Sequence, residues 1–140
     1  MRHAPTRLMI AAGLLVALPA HAAPDIAEGE WEFKSEMNMP GMPMKMPPQV
    51  FRSCMNQNDP VPRGANRGPG DQSCKTTHQF VSANTATWTV RCEHGGSVSE
   101  TKGKGTYSGS TMEATQTTAM QGQTMTMKMT GRRVGPCTSK

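Results

Sequence analysis

The chain has 140 residues, 15 basic against 10 acidic side chains, and only 35% hydrophobic and 4% aromatic residues. That length supports one domain, and so thin an apolar content excludes a large self-sufficient core. Without Arg2 and Arg7, which fall in the leader described next, the formal charge drops from +5 to +3; for an exported chain this argues against a nucleic-acid partner and leaves solubility as the ordinary reason for the charges.

Residues 1–22 read as a secretory signal. Arg2 and Arg7 supply the positive start, Leu8 to Leu18 an apolar run too short to cross a bilayer, and Ala20-His21-Ala22 a small-x-small cleavage site. Cleavage after Ala22 leaves a mature domain over residues 23–140, and no cysteine stands at the cut to carry a lipid. The expectation is a periplasmic or secreted protein that does not span a membrane.

From Glu30 to Met37 the sequence alternates, with Trp31, Phe33 and Met37 on one face and charges on the other, which predicts a first strand. Its carboxylates Glu30, Glu32 and Glu36 read as the solubilising face of an edge-like strand. Residues 38–48 hold four prolines, which exclude a helix or a central strand, so they read as a Met/Pro-rich loop. A second strand is expected from Val50 to Met55. Residues 56–73 carry turn formers throughout and read as a Gly/Pro-rich loop.

Five further strands follow at about 74–81, 86–92, 97–107, 111–119 and 123–132. The breaks between them are short enough for hairpins, so neighbours must run antiparallel and form a meander. The clearest of the five is Thr87 to Cys92, where Trp88, Val90 and Cys92 share a face and Thr87, Thr89 and Arg91 share the other. The predicted fold is all-β, about seven antiparallel strands, closed into a small barrel or strongly coiled half-barrel that removes exposed edges. Gly103 and Gly105 read as kinks in a strand that must bend.

Cys54, Cys74, Cys92 and Cys137 form an even set in a short exported chain, which implies two disulfides. Three pairings are open. The preferred one joins Cys54 to Cys74, closing the Gly/Pro-rich loop, and Cys92 to Cys137, latching the chain end. Each bridge is worth about 3–4 kcal/mol by loop entropy. That matters because the mature part has no leucine and only seven Val or Ile residues.

The ordered landmarks Gly29-x-Trp31, Gly41-Met42-Pro43, Cys54, Cys74, Trp88 with Cys92, Gly105 to Gly109 and Gly131-Arg132-Arg133-Val134-Gly135-Pro136-Cys137 resemble the exported bacterial proteins of the DUF3617 domain family. The resemblance covers essentially the whole mature chain. It implies a compartment and a β-rich domain, and no catalytic residues to carry over.

Two sets of methionines invite a chemical reading. Met37, Met39, Met42, Met44 and Met46 fall within ten residues, and thioether sulfur is a soft, neutral ligand suited to Cu(I) or Ag(I) in an oxidising compartment. The plainer reading is that flexible methionines replace missing leucines as gap fillers. Met125, Met127 and Met129 lie on one strand face, where they line the interior with Trp31 and Trp88 and, with an adaptable wall, a pocket for a small apolar molecule. His78 and His94 are the mature histidines; Cys92-Glu93-His94 suggests a ligand trio only if Cys92 is a free thiolate.

Neither a Gly-x-Ser-x-Gly elbow nor a free cysteine with a base is present, so an enzyme is not expected and no cofactor is required. The reading is a non-enzymatic binding module for a small apolar ligand or an envelope partner. Cu(I) or Ag(I) sequestration and a purely structural envelope role are the alternatives.

Overall fold

The computed structural model describes residues 24–41, 46–63 and 73–138; the predicted signal segment lies outside them, as do Met42 and Met44. Period-two alternation is realised in seven strands: β1 (Gly29–Asn38), β2 (Gln49–Met55), β3 (Cys74–Ser82), β4 (Thr85–His94), β5 (Ser97–Ser108), β6 (Thr111–Met120) and β7 (Gln123–Gly135). All pairings are antiparallel, in the order β2-β1-β7-β6-β5-β4-β3. The short turns make β3 to β7 a meander, and β1 then docks on β7 with β2 outside it.

The sheet is not closed, which corrects the barrel. β2 and β3 are its two edges and do not pair with each other. Chain leaving β2 turns over the sheet instead, burying Pro60 and Val61, and its prolines have no N–H to offer a ladder. Arg52 and Lys75, exposed on β2 and β3, place charge on both edges, a usual guard against further pairing. β1 is likewise not an edge: it lies between β2 and β7.

One face carries the core. Trp31, Phe33, Trp88, Tyr107, Met112 and Met129 are buried there with Met55, Ile26 and Val61. Phe33 stacks between Trp31 and Phe51, with centroids 6.3 and 5.1 Å away. The segment before β1 crosses the end of the sheet, Ala27 N–H donating to Gly109 C=O and Asp25 N–H to Ala83 C=O. The Trp31 indole N–H donates to Ala27 C=O at 2.9 Å. On the outer face the Glu32 carboxylate accepts from Arg132 at 2.8 Å and Arg52 at 3.2 Å, which ties three strands. Those guanidinium bonds, Arg132 first, hold its pKa below the ordinary value.

Tyr107 is the polar group most committed to this core. Its hydroxyl donates to Pro60 C=O, so the segment after β2 is held onto β5 by one buried bond. Burial, then the nearby Asp59 charge, pushes its pKa well above the ordinary tyrosine value. A raised folded-state pKa means its contribution is complete below about pH 10 and is lost as pH climbs beyond that. Tyr107→Phe leaves the Pro60 carbonyl unpaired and is expected to cost about 2 kcal/mol at neutral pH. The variant should also lose the part of the alkaline destabilisation that begins near pH 10, as urea unfolding at pH 7 and 10.5 would reveal.

The disulfides are two, as expected, but pair differently: Cys54 with Cys137 and Cys74 with Cys92. This corrects the preferred pairing, and register explains it. The β3–β4 hairpin sets Cys74 directly opposite Cys92, with Cα atoms 4.0 Å apart. Cys54 stands opposite Glu30 on β1, whose other neighbour is Gly135 on β7. The chain leaving β7 therefore passes over β1 to Cys54, with a Cα separation of 5.6 Å.

Candidate functional site

The inner face changes character along the strands. Its row Phe33–Gly131–Met112–Tyr107 is sealed. Here the Phe33 ring lies across Gly131, where a Cβ would stand 2.5 Å from a ring carbon. Four residues further along each strand, the row Met37–Met127–Gln116–Gly103–Trp88 is half-open. Met37, Met127, Gln116 and Gly103 are half-buried there, as are Met125 and Thr118 beyond them. A sheet with no aliphatic side chains to spare can seal only one end.

Trp88 closes the half-open row on its β4 side. The indole lies flat over β5: its pyrrole edge covers Gly103 and its benzene edge covers Gly105, beside the Met112 methyl. Glycine at both positions is what lets the ring lie down, the same aromatic-over-glycine device as Phe33 on Gly131. The ring is only 3% exposed. Its Nε1–H is the one buried side-chain polar atom without a hydrogen-bond partner among the described residues. Below it the Thr101 and Thr118 hydroxyls pair with each other at 2.8 Å.

The candidate residues separate accordingly. Trp31, fully buried with its N–H satisfied, and Met129, 3% exposed between Ser35 and Ala114, belong to the sealed core. Trp88, Met125 and Met127 line the half-open part, and Met37 joins them directly opposite Met127. Of the five loop methionines, Met37 is in β1, Met39 is half-buried just after it, and Met46 is 38% exposed; Met42 and Met44 lie outside the described residues. The structure sets Met37 beside the other methionine row, opposite Met127.

Cys74, Cys92 and His94 do converge, with ligating atoms within 4.8 Å of one another. Both sulfurs are bonded to each other, so neither is a thiolate available to a metal. His94 instead shares a hydrogen bond with Ser73, 3.2 Å away, and exposed His78 stands edge-on to Phe80. Recesses on the outer face, such as the one lined by Lys104, Thr106, Glu113 and Lys128, are polar gaps between strand side chains.

Sequence reasoning missed Gln116, Thr101, Thr118 and the role of Gly103 and Gly105. The two glycines at period two were a usable signal, but reading it needs the register that puts Trp88 across from Gly103.

A protein-family model described as "Protein of unknown function (DUF3617)" matches residues 26–137. Neither a curated protein nor a solved structure matches the chain.

Proposed function

The chain belongs to the DUF3617 family, and from that premise we propose that it is an extracytoplasmic, non-enzymatic binding module that takes a small apolar molecule on the half-open part of its inner face. One observation carries the reading: the row from Met37 to Trp88 is apolar in the main, half-buried, and continuous with the core at only one end. Flexible thioethers at Met37, Met125 and Met127 make a wall that adapts to an occupant's shape. Two disulfides suit an oxidising compartment, and the periplasm is the reading that fits a cleaved leader. No catalytic step or cofactor is invoked.

A naphthalene-type fluorescent dye tests the reading. The oxidised domain should bind it, and Met127→Glu, which places a charge on the half-buried row, should weaken binding at least tenfold while the protein stays folded by circular dichroism. Dye affinity unchanged by Met127→Glu would move the site off this face.

A further inference from the structure

The two tryptophans of the described chain are treated differently. Trp31 gives its N–H to Ala27, whereas Trp88, nearly as deeply buried, gives its N–H to nothing in the described protein. A buried donor without an acceptor is a standing cost that native proteins rarely carry without a use. Its position is also specific. Because the benzene edge of the ring is over Gly105 and the pyrrole edge over Gly103, the N–H sits at the half-open end of the face, not the sealed end.

We infer that the occupant of this face carries a neutral oxygen acceptor, a ketone, ester or amide carbonyl, and that the Trp88 N–H is its hydrogen-bond donor. The inference rests on the binding reading above and names the ligand class for the same site. Neutrality follows from the surroundings. The inner-face residues facing Trp88 from β5, β6 and β7 are Gly103, Thr101, Gln116, Thr118, Met125 and Met127, none of them cationic. From the edge strand β3 only exposed His78 faces it. A carboxylate would be buried there without a counter-charge, which is far costlier than burying a carbonyl. The Gln116 amide, across Gly103 from Trp88, is a second donor type on the same row. A bridging water would need two or more polar partners of its own, and the nearest hydroxyl pair, Thr101 with Thr118, is already engaged internally.

The test compares three probes of one shape, 2-acetylnaphthalene, 2-ethylnaphthalene and 2-naphthoate, by calorimetry on the oxidised domain. 2-Acetylnaphthalene should bind roughly tenfold tighter than 2-ethylnaphthalene and than 2-naphthoate at pH 8. Replacing Trp88 by 3-benzothienylalanine, in which sulfur stands where the N–H was, should erase that tenfold difference with the unfolding midpoint equal or higher, because the donor removed had no partner to lose. In the unmodified protein one of two indole N–H proton resonances should move downfield with 2-acetylnaphthalene and not with 2-ethylnaphthalene, a readout that does not depend on the variant folding. Equal affinities for the ketone and the hydrocarbon, a preference for naphthoate, or a benzothienyl variant that is less stable because the N–H had an internal partner would each overturn the inference while the binding reading stood. Failure of all three probes to bind would remove the binding reading itself.

Discussion

Replacing Cys54 and Cys137 together is expected to lower the unfolding free energy by about 4–5 kcal/mol, the largest loss available from any one pair in this chain. The two cysteines are 83 residues apart, against 18 for Cys74 and Cys92. In the loop-entropy account a longer closed loop constrains the unfolded chain more, so the shorter pair should cost only about 3 kcal/mol. Against a typical total stability of about 5–15 kcal/mol, the first loss leaves a domain of this size marginal. The native state also depends on that bridge: it ties β2, an edge strand whose one strand neighbour in the described sheet is β1, to the chain leaving β7. Urea unfolding of Cys54→Ala/Cys137→Ala beside Cys74→Ala/Cys92→Ala decides the order. A greater loss from the second pair would contradict the account, and a non-reduced peptide map would show directly whether the pairing itself is at fault.

The second large effect is expected at a residue with no side chain. Gly103→Ala should cost about 3 kcal/mol, at the upper end of what overpacking imposes. The ordinary expectation is opposite in sign: Gly103 is not in the left-handed region, and glycine to alanine at a compatible position stabilises a chain by about 0.4–1 kcal/mol through the unfolded state. The reversal comes from Trp88. An added Cβ would overlap three indole atoms, Cε2, Nε1 and Cζ2, and the Met112 methyl stands beside the ring over Gly105 in the core that both help to form. Trp88 would have to lift from β5, uncovering the β4 side of the half-open row. In a Trp88→Leu background the penalty should fall below about 1 kcal/mol, because the obstructing ring is gone; equal penalties in both backgrounds would mean that Trp88 does not lie on Gly103. Dye binding should fall together with stability in Gly103→Ala, since one ring serves both.

These two results bracket how legible the protein was. Strand existence was readable nearly throughout: Glu30 to Met37 and Thr87 to Cys92 alternate strictly, and β1 and β4 occupy Gly29–Asn38 and Thr85–His94. Alternation is local chemistry, so adjacent residues suffice to show it. The faces were legible for the same reason, and Trp31, Phe33, Trp88, Val90 and Cys92 are all buried on one side. Gly103 was visible as an oddity but not explicable, because its neighbour in space is 15 residues away on another strand. Met125, Met127 and Met129 were correctly grouped as one face, yet they divide between core and half-open row at a boundary set by where Phe33 and Tyr107 happen to pack.

Taken by itself, the order of residues determined that this is a β protein, which strands are joined by tight turns, which side of each is apolar, and that the four cysteines form two bridges. The tertiary structure alone decided that β1 sits inside the sheet against β7, that the sheet stays open, that Cys54 meets Cys137, and that the Trp88 N–H finds no acceptor among the described residues. The division follows from range. Turn geometry and period-two patterning act over a few residues, whereas register between distant strands is settled only when all the side chains of one face compete for the same limited interior.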